Sequence, residues 1–371
     1  VKQLSIRPEI HKFSNCKEFI EEFKIGKRDL IITSRHTYDS YFSKYELDSN
    51  FIFIRNYGSG EPSDEMVEAM YDDIKNISYE RVIGIGGGSV LDVSKLFALQ
   101  KIFPVADLFE HKLQFIKDKE LLLVPTTCGT GSEVTNISIL ELKSKHTKLG
   151  LAVNELYADY AILIPELLND LPFRPFAASS IDALIHSLES SLSPKATSFT
   201  RMFSYKAMQM ILEGYRKIAE KGQEARIPLM EEFLTASTYA GIAFGNAGCG
   251  AVHAMSYPLG ANYHVPHGES NYQMLVGVFK TYQKLNPDGE IRNLNNFLAG
   301  ILRCGENEIY GKIEELLNVL IPKKKLREYG LPQKELESFT ECVMTKQGRL
   351  MANNYTELNR QNVYNIYKSL Y

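Results

Sequence analysis

The stretch "RVIGIGGGSVLDVSK", residues 81–95, decides the fold. After Arg81 it runs through β-branched residues and glycine with no polar alternation, the pattern of a strand buried on both faces. Gly86, Gly87, Gly88 and Ser89 then separate that strand from a helical pattern. Glycine lets the backbone pass close to a ligand, and the N–H groups and dipole at a helix start favour a phosphate. A tight turn without a ligand is the competing reading, although three consecutive glycines exceed what a turn requires. The run is not G-x-G-x-x-G, so by itself it does not name a dinucleotide.

The same alternation continues on both sides. "DLIIT" (29–33), "FIFIR" (51–55), "LLLVPTT" (121–127) and "YAILIP" (160–165) read as buried strands. "SDEMVEAMYDDIKN" (63–76) and "SVLDVSKLFALQK" (89–101) read as helices, the first with Ser63 as N-cap and acids in its opening turn. Strands alternating with helices imply a parallel sheet covered on both faces. From "PELLNDLPFRPF" onward strand-like runs nearly vanish. Helical patterns follow at 176–192, 198–220, 227–256, 270–285, 291–304, 306–321, 334–351 and 360–370. We therefore expect an α/β domain over 1–165 and an all-α domain over 166–371, divided at the Pro-rich segment 165–175.

A second loop, "VPTTCGTGSEVTN" (124–136), also follows a strand. Thr126, Thr127, Thr130 and Ser132 set hydroxyls around Gly129 and Gly131, suited to ribose or nicotinamide contacts; a polar surface loop is the plain alternative. Ligand loops of open α/β sheets lie at the carboxyl ends of strands, where both glycine loops fall. Lys148 offers a cation for a ribose or phosphate, though a lone lysine is usually only a surface residue.

Composition narrows the function classes. A net charge of −3 leaves no basic excess to neutralise phosphates, so nucleic acid is not the expected partner. No apolar run approaches the ~20 residues that span a bilayer. Lys2, Arg7, Glu9, Lys12, Lys17 and Glu18 interrupt any signal-peptide core. The five cysteines are scattered, with no C-x-x-C, which suits free thiols in a reducing cytoplasm.

The helical half carries "SSIDALIHSLES" (179–190). Ile181, Leu184, Ile185 and Leu188 form a buried stripe, and beside it Asp182 and His186 stand one turn apart. Alone, such a pair is most often a solvated surface contact. Three further histidines, His253, His264 and His267, crowd into residues 249–270. His253 ends a Gly- and Ala-rich helix whose small residues suit burial, and a buried imidazole demands a partner. His267 follows Pro266, a natural first-turn residue, and so starts the next helix. Asp182, His186, His253 and His267 together make one carboxylate and three imidazoles, which a divalent ion accepts without a thiolate. Separately satisfied core histidines are the alternative.

In order, GGGSVLDVSK, PTTCGTGSEVTN, IDALIHSLE and GAVHAMSYPLGANYHVPHG resemble the iron-containing (group III) alcohol dehydrogenases over nearly the whole chain. The resemblance implies a Rossmann-like NAD domain, a helical metal domain and one ion, Fe²⁺ or Zn²⁺, on Asp182, His186, His253 and His267. It also implies pyrophosphate on Gly86, Gly87, Gly88 and Ser89, with Thr126, Thr127, Thr130 and Lys148 on the nicotinamide side, and a homodimer. ELKSKHTKLG, GNAG and NYHVPHGE are most similar to the branch that interconverts 4-hydroxybutyrate and succinate semialdehyde. Other readings are a general primary-alcohol or butanol dehydrogenase, an NAD- and metal-dependent lyase such as 3-dehydroquinate synthase, and a non-catalytic nucleotide-binding protein.

Three departures stand out. Ser34, followed by Arg35, replaces an Asp that excludes NADP in many relatives, so NADP use is open. Glu61 stands where Asn often precedes Pro. Tyr257 replaces a second His four residues after the third ligand, leaving Tyr257, His264 or a cofactor hydroxyl to move protons. For the substrate's carboxylate only His264 suggests itself.

Overall fold

Asp29–Thr33 is buried at every residue, as a strand covered on both faces must be. The structure, a computed structural model, describes residues 2–145 and 147–371. The first part of the chain runs β1 (Glu9–Lys12), α1 (Cys16–Phe23), β2 (Asp29–Thr33), α2 (Arg35–Thr37), β3 (Asn50–Phe53), α3 (Asp64–Ile74), β4 (Arg81–Gly86) and α4 (Gly88–Phe97). It continues through α5 (Val105–Phe109), β5 (Glu120–Pro125), β6 (Ile137–Leu142), β7 (Thr147–Ala152) and β8 (Tyr160–Leu163). Six strands form one sheet in the order β1-β8-β5-β4-β2-β3, every neighbouring pair parallel. The α/β expectation is met, and the expected N-cap of α3 is present, with Ser63 Oγ accepting from Met66 N at 3.3 Å.

The sheet also contains what the sequence reading left out. β1 is a short edge strand that pairs with β8, and β6 and β7 form a separate antiparallel hairpin. The chain leaves β2 for β3 on one flank and returns to β4 on the other. Such a reversal is where open α/β sheets place ligands, outside the strands' carboxyl ends. Ser34 follows β2 and Gly86 ends β4, so both lie at this reversal. Gly86 is dictated by packing: a Cβ there would come within 2.6 Å of Val90 in the first turn of α4.

A buried ionic network ties α4 to the second loop. Lys95 is fully buried, and its Nζ donates to Ser132 Oγ (2.7 Å) and to the Ile137 carbonyl (2.6 Å). Asp92 accepts from Ser132 Oγ at 2.5 Å and from Ile139 N at 3.1 Å. Burial lowers the pKa of Lys95, opposed by Asp92 and Glu133. Breaking one partner of such a set leaves a charge uncompensated in a low dielectric.

The second unit comprises Pro172–Tyr371 together with residues 2–5, and the first spans Ile6–Leu171. Residues 2–5 are held by Asn246, whose side chain bonds both the N–H and the carbonyl of Ser5 at 2.8 and 2.9 Å. The helices are α6 (Phe173–Leu192), α7 (Ser198–Lys221), α8 (Met230–Ala247), α9 (Ala251–Tyr263), α10 (His267–Leu285), α11 (Glu290–Leu302), α12 (Ile309–Leu320), α13 (Leu336–Lys346), α14 (Gly348–Met351) and α15 (Arg360–Leu370). The all-α expectation holds, although two of the expected helices are divided, 334–351 breaking at Gln347 into α13 and α14. The pattern over 227–256 is not one helix: 3₁₀ turns occupy Gln223–Leu229, and α8 ends before Gly248, whose φ of 81° turns the chain. Asn353 Nδ2 fills the gap, donating to the carbonyls of Ala247 (2.9 Å) and Cys249 (3.2 Å). His253 thus belongs to the helix after the break. Among the described residues no helix is long and apolar enough to cross a membrane.

Candidate metal centre and cofactor loop

Asp182 and His186 point from α6, one turn apart, and are 3% and 6% exposed; His253 on α9 is 3% exposed. His267 opens α10 behind Pro266, as its sequence context requires. The first turn of α10 presses so closely on α6 that a Cβ at Gly268 would overlap the Ala178 carbonyl oxygen. Three separate helices thereby bring ligand atoms of Asp182, His253 and His267 within 4.8 Å of one another, with His186 beside Asp182 on α6. His253 Nε2 and His267 Nε2 each lie 3.6 Å from Asp182 Oδ1, and His186 Nδ1 lies 4.0 Å from Asp182 Oδ2. Donors about 2.1 Å from one ion at tetrahedral angles are roughly 3.4 Å apart, so this spacing fits a shared divalent cation.

Hydrogen bonding around the four donors supports the fit. His253 Nδ1 donates to Glu189 Oε2 at 2.5 Å, which fixes the tautomer and leaves the lone pair on Nε2. That buried Nε2 has no hydrogen-bond partner of its own. Glu189 Oε1 also accepts from Val252 N at 2.7 Å, tying α6 to the start of α9. Asn271, one turn after His267, donates to Asp182 Oδ1 at 2.8 Å and lies 3.2 Å from His267 Nε2. Burial pushes the Asp182 carboxyl up, but His186, His267 and His253 outweigh it and hold it below the ordinary carboxylate range. Burial likewise opposes a charged His253, while Cys249, Glu189 and Asp182 raise its pKa well above the usual value. An anionic Asp182 beside the buried, unpartnered Nε2 of His253 and the two neighbouring imidazoles is a donor set that an ion of charge two would stabilise.

Glu189, Asn271 and Cys249 were not singled out in the sequence. Cys249 joins His186 and His253 in a buried group whose ligand atoms all lie within 4.8 Å of one another. Of the two residues considered for proton transfer, Tyr257 is half-buried with its ring 6.0 Å from that of His267. His264 is exposed at the end of α9, in the left-handed region at φ 53°. The structure does not bring it to the other histidines: among the described residues it makes no ion pair, hydrogen bond or ring contact.

In the α/β unit, Ser34, Gly86, Gly87, Gly88, Ser89 and Thr126 line one cavity, joined by Arg55, Gly60 and Pro62. Thr127 and Thr130 stand against the glycine loop: a Cβ on Gly87 would lie 3.4 Å from Thr127, and one on Gly88 2.7 Å from Thr130. Ser132 is placed otherwise, its hydroxyl engaged by Asp92 and Lys95 inside the buried network. Lys148 pairs with Glu61 at 3.1 Å, so two of the singled-out positions meet each other. Ser34 caps α2, accepting from Thr37 N at 3.0 Å, and Arg35 stacks on Phe53 with its Cζ 3.7 Å from the ring centre.

Residues 6–165 match the family described as iron-containing alcohol dehydrogenase, and residues 176–371 match the Fe-containing alcohol dehydrogenase family, C-terminal. The chain is 49% identical over 371 residues, all of both chains, to 4-hydroxybutyrate dehydrogenase of Clostridium kluyveri. It is 35% identical over 322 residues to long-chain-alcohol dehydrogenase 1 of Geobacillus thermodenitrificans, covering 84% of this chain and 80% of the relative. Among solved structures, sulfoacetaldehyde reductase from Bifidobacterium kashiwanohense in complex with NAD+ matches with a TM-score of 0.86 at 21% identity, over 100% of this chain and 98% of the other. At that identity the likeness speaks for the fold alone.

Proposed function

The chain belongs to the iron-containing alcohol dehydrogenase family, and from that premise we propose that it interconverts 4-hydroxybutyrate and succinate semialdehyde with NAD(H). The observation that carries the reading is the convergence of Asp182 with three imidazoles in a chain 49% identical, end to end, to a 4-hydroxybutyrate dehydrogenase. Asp182, His186, His253 and His267 would hold the ion. When bound, it supplies a Lewis acid that polarises the carbonyl oxygen of the aldehyde. The nicotinamide supplies or accepts the hydride.

This chain's own residues do the rest. Glu189 keeps the proton of His253 on Nδ1, so that Nε2 stays a donor atom. Asn271 orients Asp182 and His267 together. Tyr257, its pKa raised by burial, stays a neutral hydroxyl beside His267 and passes its proton to the substrate oxygen as hydride arrives. In the α/β unit the glycine loop offers backbone N–H groups at the start of α4 to the pyrophosphate.

The four N and O donors suit Fe²⁺, with Zn²⁺ the next candidate. No acid stands at Ser34, and the exposed cation of Arg35 follows it, so NADPH is accepted beside NADH. All five cysteines are free thiols, as fits a cytoplasmic enzyme, and a homodimer is the expected assembly. The test compares kcat/KM for succinate semialdehyde and butanal on anaerobically purified enzyme, following NADH. We expect a preference of about 100-fold for the carboxylated aldehyde. Equal values would leave a general alcohol dehydrogenase, and absence of stoichiometric NADH loss would leave a lyase or a binding protein.

A further inference from the structure

We propose that Cys249 gives the helical unit a second setting for its ion, a thiolate with two imidazoles, which selects a thiophilic divalent cation and draws it away from Asp182 and His267. The inference extends the metal centre of the function proposed above and rests on it. Sγ of Cys249 and ring nitrogens of His186 and His253 all lie within 4.8 Å of one another, and the three residues are buried. Asp182, His253 and His267 form the other such group, so the two groups share His253. Glu189 occupies Nδ1 of that ring, which leaves the buried, unpartnered Nε2 as the atom open to an ion. One ion at a time can use it.

Local structure explains why a sulfur reaches this place. His186 stacks on Phe244 and on His253, with ring centres 4.0 and 4.7 Å apart and interplanar angles of 15° and 16°. The near-parallel planes set the edges of the two imidazoles side by side, and an imidazole binds an ion through an edge nitrogen. Phe244 lies in the last turn of α8; Gly248 then turns the chain, and Cys249 follows before α9 begins. Asn353 Nδ2 holds the Cys249 carbonyl at 3.2 Å, which fixes the backbone and leaves the short side chain to turn about its one torsion. Nitrogen and sulfur donors about 2.1 and 2.3 Å from one ion at tetrahedral angles are roughly 3.5 Å apart. Closing from the 4.8 Å limit to that spacing takes a movement of about 1.3 Å, shared among three side chains.

The two settings differ in softness. One offers a carboxylate oxygen and the other a sulfur, with imidazole common to both; carboxylates suit hard ions such as Mn²⁺, and thiolates suit soft ones such as Cd²⁺. As the sulfur–metal bond forms, the thiol proton passes to solvent. With a hard ion bound at the carboxylate, Cys249 stays a neutral thiol beside the centre. A soft ion recruits it, and the ion then leaves the carboxylate side.

The test uses the full-length protein and its Cys249→Ser and Cys249→Ala variants, purified anaerobically, freed of metal with a chelator and titrated with Cd²⁺ and with Mn²⁺. Ultraviolet difference spectra, bound-metal stoichiometry and thermal unfolding are recorded. Wild type is expected to bind one Cd²⁺ with a sulfur-to-cadmium charge-transfer band that both variants lack. Cd²⁺ affinity should fall about 100-fold on substitution, while Mn²⁺ affinity stays within about threefold. If wild type binds one Cd²⁺ without that band, or the band survives in both variants, Cys249 is not a ligand, and the metal centre proposed above stands without it. Equal losses of Cd²⁺ and Mn²⁺ affinity in both variants, with a lowered unfolding temperature, would mark Cys249 as structural and likewise overturn the inference. If wild type binds neither ion, the metal centre itself fails and this setting with it.

Discussion

The two candidate binding regions are built on opposite plans. In the α/β unit the recognising surface is backbone: Gly86, Gly87 and Gly88 contribute space and N–H groups, and side chains such as Val90 and Thr130 only pack around them. In the helical unit the candidate surface is made of side chains, four donors from three helices, with Glu189 steadying His253 and Asn271 steadying Asp182 and His267. A backbone site tolerates few added atoms, because interiors are close-packed. A side-chain site tolerates few lost ones, because each removal strands a partner in a low dielectric.

That contrast can be broken by experiment. The largest effect is expected from His267→Ala, which removes an ion donor and the partner of Asn271. Activity should fall about 10²–10³-fold together with metal content, while NADH affinity from fluorescence titration stays within about twofold. Parallel loss of NADH affinity would show that the two regions are not independent. Next comes Glu189→Gln, which keeps the shape but weakens the grip on His253 Nδ1. Metal affinity, measured by competition with a chelator, should drop about 10–100-fold; an unchanged value would remove Glu189 from the account. The smallest effect belongs to Gly88→Ala, whose single added carbon meets Thr130 at 2.7 Å. Overpacking of about 1–3 kcal/mol should weaken NADH about tenfold or more and leave metal content untouched.

The same contrast explains what could be read in the sequence. The glycine loop was legible because it shows as an absence of side chains between a strand and a helix. Asp182 and His186 were legible because helical spacing puts them side by side. Glu189 lies seven residues after Asp182 on the same face, and Asn271 four after His267, so a stricter reading of helical period would have reached both. β1 and the β6–β7 hairpin escaped because charged residues, Lys12, Glu141 and Lys148 among them, interrupt their apolar runs. The break between α8 and α9 was hidden in a Gly-rich stretch that carries helical periodicity through it. Ser132 looked like a ligand hydroxyl, yet Lys95 and Asp92 claim it, a pairing visible only once α4 and the loop lie together.

The clamp that Asn353 places on Cys249 spans 104 residues of chain. During synthesis, then, the opening of α9 is left without its fastening until Asn353, 104 residues after Cys249, has been made. A polypeptide cut short ahead of Asn353 would carry all four candidate donors but lack the fastening at the start of the helix that bears His253.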